Sequence, residues 1–431
     1  MTTLSQRLSL RFPALGSRDF VIFWVGQFIS LIGTWMQSTT LPYLTYKLTG
    51  SSLMLGLVGF AVTLPTLFLA LPGGVIVERL DKRKTVIALQ AVMMIQAFAL
   101  AFLTLSGNIQ IQQIILLSFI LGAASAVEIT ARQAMLVELV GKPALPNAIA
   151  LQATVFNTAR VLGPLLVAPF LVLFPRYGEG WAFLLNGISY LFVIIGLFFV
   201  RTPYKETVAE TGPRHLGGEF RQGMRYIAGA QPILLMLIMA AVIGFFGFPF
   251  MQQIPAIARD ALAVPGEAAG SVAARNSALY VAQGVGALIA AVYLSLRGNI
   301  GRMGRLLVGG QLAFCMALIF LSPVRILPPA LVLFCVLGWG MVTQLATMNT
   351  LIQLEVPGHL RGRVFSVYLW ALQGIAPFGS LVVGWTAQRI GVSATALLIG
   401  LVCLGVIGTI HVRYPVVRRL TGVGITAANR A

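Results

Sequence analysis

Apolar residues run in long blocks along this chain, punctuated by Gly, Pro or charge. A helix that crosses a bilayer needs about 20 apolar residues. Blocks of that length fall at 20–48, 53–78, 85–106, 109–139, 145–174, 180–200, 232–259, 270–297, 303–323, 328–356, 363–389 and 391–413, giving twelve predicted spans. Several exceed the minimum and are expected to tilt or to extend into the headgroup region. The first block is span-length, has no small-residue cleavage site behind it, and is followed by others, so it reads as a retained helix. The only long polar segment, 201–231, separates two sets of six. The predicted organisation is a tail over 1–19, a bundle over 20–200, a linker over 201–231, a second bundle over 232–413 and a tail over 414–431. The fold class expected is an all-α membrane protein with 12 transmembrane helices in two pseudo-symmetric six-helix bundles.

The two sets look like copies. "MLVELVGKPALPNAIA" in the first resembles "LIQLEVPGHLRGRVFS" in the second, with Glu138 opposite Glu355 and Gly141 opposite Gly358. The offset is close to half the chain. A loose correspondence continues in "ARVLGPLLVAP" from Ala159 and "IAPFGSLVVGW" from Ile375. Chance similarity between apolar runs is the alternative, but polar landmarks align here as well as apolar ones, which favours duplication. Duplicated six-span halves are a transporter architecture, with the substrate held between them near the bilayer midplane.

Composition reinforces the membrane reading. Of 431 residues, 58% are apolar and only 10% are charged, against about 25% charged in a soluble protein. The mean hydropathy is +0.89. Soluble enzymes, secreted disulfide scaffolds and disordered proteins are excluded as first readings. The net charge of +18 would suggest nucleic acid on a soluble chain. Here 22 of the 30 Lys and Arg fall in segments on one side, five on the other and three inside spans. The excess marks the cytoplasmic side, which places both tails there. The charge therefore sets topology and attracts anionic lipid headgroups, and nucleic acid is not an expected partner. Cys315, Cys335 and Cys403 fall inside spans at spacings that match no metal or redox motif.

Polar residues inside the spans carry the functional signal, because a polar atom in hydrocarbon is costly. Gln27, Ser30, Thr34 and Gln37 of the first span share a face. So do Asn276, Tyr280 and Gln283 of the eighth, and Thr343, Gln344, Thr347 and Thr350 of the tenth. Such stripes suit helices lining a shared wet cavity, or interhelical hydrogen bonds that hold a bundle together. The fourth span reads "SAVEITARQ", with Glu128 and Arg132 one turn apart on one face. Glu128 is the only acid placed well inside a span. Two readings stay open: a carboxyl that binds a proton from one side and releases it to the other, or a static pair with Arg132. Asn157 and Arg160 in the fifth span share a face with Pro164, and Arg160 suits either an anionic substrate group or Glu128. Asp260 and Arg275 fall near outer helix ends, where water is expected to reach them. "GFFGFPF", Gly244 to Phe250, should loosen the seventh span into a moving element.

The loop after the second span, "GGVIVERLDKRK", resembles the Gly-x-x-x-Asp-Arg-x-Gly-Arg-Arg/Lys signature of the major facilitator superfamily. Gly74 and Arg79 match, Glu78 replaces Asp, and Arg83 and Lys84 continue the basic run. The resemblance implies a cytoplasmic gate formed by Gly74, Glu78, Arg79 and Arg83, with Glu78 as an alternative partner for Arg132. "ARVLGPLLVA" partly resembles the family's antiporter motif, with Gly163 and Pro164 in place. That motif implies exchange of substrate for protons. "ARQAMLVELV", "NTARVLGP" and "LRGRVFS" look like the bacterial branch of enterobactin (siderophore) and multidrug exporters.

Together these imply a proton-coupled exporter of a small amphipathic compound in the bacterial inner membrane, not an enzyme. Glu128 and Arg132 are the expected coupling residues, and Gln27, Thr34, Gln37, Asn157, Arg160, Gln283 and Gln344 the expected cavity residues. No nucleotide-binding glycine loop is present, so neither ATP nor another cofactor is expected. Protons, a small-molecule substrate and membrane lipids are the expected partners, and the fold can work as one chain. An importer or facilitator, a lipid transporter on the same fold and a non-transport membrane sensor are the rivals.

Overall fold

The computed structural model describes residues 12–201, 216–268, 270–297 and 302–421. Helices account for nearly all of them. A short 3₁₀ turn, Pro13–Gly16, precedes α1, Arg18–Thr49. Next come α2, Ser52–Arg79, α3, Lys82–Leu105, α4, Ile111–Leu173, and α5, Gly178–Phe199. The shorter α6, Leu216–Gly229, lies in the polar linker. The second half holds α7, Gln231–Met251, α8, Ser271–Arg297, α9, Met303–Leu321, α10, Leu327–Glu355, α11, Leu360–Ile390, and α12, Val392–Arg413. A four-residue α13, Val416–Arg419, follows.

Among the described residues, eleven helices are long and apolar enough to cross a membrane. The predicted number is nonetheless met, because α4 has 63 residues. Straight, it would measure about 95 Å, roughly three times the hydrocarbon core. It bends at Gly141, whose φ of 69° only glycine adopts readily. The two arms are the predicted fourth and fifth spans, so the described residues supply twelve segments long enough to cross. The aligned landmark in the second half breaks the chain differently. There α10 stops at Glu355 and the next helical residues begin at Gly358, after Val356 and Pro357. Proline lacks the amide that would continue the helix, and it drives the residue before it to extended geometry.

The spans are apolar around most of their circumference, as a lipid-facing helix requires. Large side chains such as Phe68, Phe102, Phe198 and Leu296 are exposed, with Phe102 at 71%. Polar side chains such as Gln37, Gln96, Asn186 and Gln344 are buried instead. This inverts the soluble pattern, because here the apolar phase lies outside.

Helix ends are set by local chemistry. The Ser17 hydroxyl accepts from Phe20 N at 3.3 Å and donates to Leu139 O at 2.9 Å, so the start of α1 is tied to the bend of α4. Asp19, in the first turn of α1, accepts from Arg201 N at 3.0 Å and complements the helix dipole. Asp81 caps α3 by accepting from Lys84 N at 3.1 Å.

Two compact units emerge from the packing. The first holds Met1–Thr49, Ala61–Ala209 and Glu267–Ser277; the second holds Gly50–Phe60, Glu210–Gly266 and Ala278–Ala431. The opening turns of α8 thus pack in the first unit, where Ala273 joins Met36, Tyr43, Val167, Leu171 and Ala182. The opening turns of α2 pack in the second, where Gln253 Nε2 donates to Ser52 O at 3.2 Å.

The "GFFGFPF" stretch does loosen α7. Over Ile243–Gly247 the helix widens to an i+5 turn, with Phe248 N donating to Ile243 O. A second wide turn interrupts α11 at Trp370–Gly374, and Gly244 abuts the Leu372 carbonyl. Wide turns of this kind recur at functional positions in helices.

Candidate functional site

In the first unit, α1, α3 and α5 enclose a polar chain. Gln37 Nε2 donates to Gln96 Oε1 at 3.2 Å, and Asn186 Nδ2 donates to Gln37 Oε1 at 2.8 Å. Ser189 Oγ donates to Asn186 Oδ1 at 3.2 Å, and Tyr190 Oη meets Thr34 Oγ1 at 3.5 Å. Side-chain hydrogen bonds between helices contribute about 0.6 kcal/mol each on average, so the group orders three helices without locking them. Gln27 is buried on the same helix, with no hydrogen bond to its Oε1. The stripe on α1 is therefore turned inward, and Gln37 is engaged by protein groups. Gln96, Asn186, Ser189 and Tyr190 were missed in the sequence reading. Span six carried a legible signal, because Asn186, Ser189 and Tyr190 recur at helical spacing.

The α4 pair lies nearby in the same unit. Glu128 is 5% exposed, with Arg132 Nε 3.2 Å from its Oε1. Gln90 Nε2, on α3, donates to the same oxygen at 3.0 Å. Arg132 thus pairs with Glu128. The side chains of Gly74, Glu78 and Arg79 lie outside the described residues, so the alternative partner is not described. Ser125 Oγ, one turn before Glu128, lies 3.5 Å from Met93 Sδ. A carboxylate, a guanidinium and an amide are thus brought together where hydrocarbon surrounds the bundle.

The second arm of α4 arranges its residues differently. Asn157 Nδ2 donates to Ala153 O of its own helix at 2.8 Å. The Arg160 guanidinium sits 5.4 Å from the Trp35 ring centroid, and Trp35 stands edge-on to Phe156 at 5.5 Å. A cation over an indole face is favourable, and more so when desolvated. Gly163 and the buried Pro164 lie where this arm meets α1, with Trp35 and Met36 nearest Gly163. Arg160 is thus placed with an aromatic partner on α1 rather than with Glu128.

In the second unit, Gln344 is fully buried, and neither end of its amide has a hydrogen-bond partner. The hydroxyls of Thr343 and Thr347 on the same helix are likewise without partners. A buried amide lacking hydrogen bonds costs about 1–3 kcal/mol, which makes this face of α10 a candidate for binding polar groups. Gln283 is buried where α8 crosses α10, with its carbonyl against Gly338. Gln311 Nε2 lies 3.2 Å from Met239 Sδ, and its Oε1 lies 2.7 Å from His411 Nε2. That buried trio was also missed, since its members come from three helices far apart in sequence.

Arg83 Nη2 donates to Phe198 O at 3.0 Å, joining the start of α3 to the end of α5. Lys82 Nζ sits 2.5 Å from Glu138 Oε1, and both side chains are largely buried. The repeat landmark Glu138 thus binds the basic loop across α3 and α4.

A family model described as "Transmembrane secretion effector" matches residues 11–422. The chain belongs to this family of transporters. Among curated relatives, the staphyloferrin A transporter of Staphylococcus aureus is 24% identical over 387 residues, covering 88% of this chain and 92% of its own. Macrolide efflux protein A of Streptococcus pyogenes is 22% identical over 397 residues, covering 90% and 94%. A crystal structure of a POT family transporter in complex with 5-aminolevulinic acid superposes with a TM-score of 0.71 at 12% identity, covering 93% of this chain and 97% of that one. At that identity the likeness speaks for the fold. The chain is therefore a multi-pass membrane transporter of the major facilitator superfamily, related to siderophore and drug transporters.

Arg275 is not solvated but 7% exposed. The loop before α8 folds Glu267 onto it, with Arg275 Nη2 donating to Glu267 Oε1 at 2.7 Å and Nη1 to Oε2. Sequence position alone did not show that the loop would return. The bidentate guanidinium holds the Glu267 carboxyl below its ordinary value of 4.5. A carboxylate whose folded value is depressed stabilises the fold above its unfolded value, and that contribution is lost as pH falls through the folded value. Thermal unfolding of the purified protein should therefore lose stability below about pH 4.5 more steeply in the wild type than in Glu267→Gln. Parallel curves would rule out this contribution.

Proposed function

We propose that this transporter is a proton-coupled exporter of small amphipathic compounds, such as a drug or a siderophore, working by alternating access. It would reside in a bacterial inner membrane with both tails in the cytoplasm. The observation that carries the proposal is the buried Glu128, held by Arg132 and Gln90 on two membrane-crossing helices. A carboxylate in such a place is costly, and intramembrane acids of this kind mark proton relays. The unpartnered Gln344, Thr343 and Thr347 on α10 offer donors and acceptors to the polar groups of a cargo. Arg160 over Trp35, with Phe156, offers a cationic and aromatic surface suited to an amphipathic one. Relatives named for staphyloferrin A and for macrolide efflux support this choice of cargo class. The skew of Lys and Arg supports the orientation.

Proteoliposomes with an imposed pH gradient test the reading. Siderophores, macrolides and cationic dyes are screened for uptake into inside-out vesicles that are acidic inside. Accumulation of a compound that collapses with a protonophore is the expected result. Flux that ignores the gradient, or that follows sodium alone, would overturn proton coupling.

A further inference from the structure

A basic pocket lies at the end of the second unit, outside every residue assigned to transport. Arg305 of α9 and Arg418 and Arg419 of α13 line it with Val308 and Pro415, around a volume of about 420 Å³. That falls within the range of about 300–1,000 Å³ common to small-ligand sites. The pocket is built by a docked segment rather than by a trailing tail. Gly304 N donates to Leu420 O at 2.9 Å, and Val417 and Leu420 are buried. This clasp holds two arginines beside a third.

Three exposed guanidinium groups lining one volume repel each other. None of the three has an ion pair among the described residues. Seven arginines and no acidic residue follow Glu355 in the sequence. The first amides of α9 are also occupied, since Gly304 N serves Leu420 O and Arg305 N donates to Arg302 O at 3.1 Å. An anion there must be held by side chains. Planar guanidinium forks match phosphate oxygens two at a time. The pocket also sits at the ends of two membrane-crossing helices, α9 and α12, and basic pockets between such helices take anionic headgroups.

The geometry points to a binding site for a phosphate-bearing anion, formed by Arg305, Arg418 and Arg419. Its two sources are the headgroup of an anionic phospholipid and soluble phosphate. The site is separate from the transport reading, and its failure would leave Glu128 and α10 untouched.

The test uses the full-length, delipidated protein. Native mass spectrometry follows titration with phosphatidylglycerol and, in parallel, with phosphatidylcholine of the same acyl chains. A thermal-shift titration with inorganic phosphate forms the second arm. The variant is Arg305→Gln/Arg418→Gln/Arg419→Gln. The control removes three exposed arginines elsewhere: Arg225→Gln/Arg361→Gln/Arg413→Gln. The expected result is that the pocket variant binds phosphatidylglycerol roughly 10- to 100-fold more weakly, as three lost surface cations imply, with the control little changed. A shift with inorganic phosphate that disappears in the pocket variant would assign the site to soluble phosphate instead. Should the glutamine variant fail to fold, Arg305→Lys/Arg418→Lys/Arg419→Lys keeps the charge but removes the forks, and about a 10-fold loss is expected. Equal losses in pocket variant and control, or no binding of either anion, would overturn the proposal.

Discussion

Glu128→Gln is expected to abolish export driven by a pH gradient while leaving a folded, membrane-inserted protein. The substitution keeps the size of the side chain, and Gln90 Nε2 retains an oxygen to bond, as it does at 3.0 Å in the native pair. What disappears is the titratable group. It also leaves Arg132 without its counter-ion, and removing one partner of a buried pair costs about 3–5 kcal/mol. A loss of transport could then reflect lost stability, so the double variant Glu128→Gln/Arg132→Gln separates the causes. A static pair predicts that neutralising both groups restores stability and transport together, because two neutral amides need no counter-charge. Proton carriage predicts restored thermal stability and no coupled flux. Counterflow exchange of labelled for unlabelled substrate should survive in both variants, because it needs no net proton movement. Full gradient-driven export by Glu128→Gln would remove this residue from the coupling.

Gly338→Ala should strike at the second unit with a comparably large effect, this time on stability. A methyl group there would sit 1.9 Å from the Gln283 carbonyl oxygen of α8. The contact is reciprocal, since one at Gly286 of α8 would sit 1.8 Å from the Cys335 carbonyl oxygen of α10. Backbone meets backbone on both sides, so no side chain can swing away. Small residues at such crossings let membrane helices approach closely. Overpacking in a well-packed core costs about 1–3 kcal/mol, and a crossing closed from both sides belongs at the upper end. A lower midpoint in detergent melting curves checks this, with Gly309→Ala as control because nothing lies within 4 Å of a methyl group there. An unchanged midpoint for Gly338→Ala would mean that the two helices can separate without loss. Gln283 rides on this crossing, so the same variant should also weaken transport.

Both cases show how far a linear reading reaches. The spacing of Glu128 and Arg132 is four residues, and a helix must place such residues on one face. That pair was legible before any fold was known. Gln90 was not, because its contact depends on how α3 packs against α4. Gly338 in sequence is one glycine among 45. Only the approach of α8 makes it critical. Arg160 illustrates the reverse. Its depth in a span was legible, but its partner, Trp35, belongs to another helix and could equally have been a carboxylate.

The number of crossings, the apolar exterior and the inward turn of the α1 polar stripe followed from the sequence itself. The reason is that hydrocarbon imposes one strong requirement, satisfied helix by helix: backbone bonds closed internally and apolar side chains outside. Partnership was decided by tertiary structure alone. Gln37 became part of a protein network while Gln344 remained without a protein partner, although both are glutamines on polar stripes. Arg275 was buried by a returning loop, and three arginines from two distant segments came to line one pocket. Burial and polarity are properties of a residue and its helix, whereas a hydrogen bond between helices needs a second element whose position no local pattern encodes.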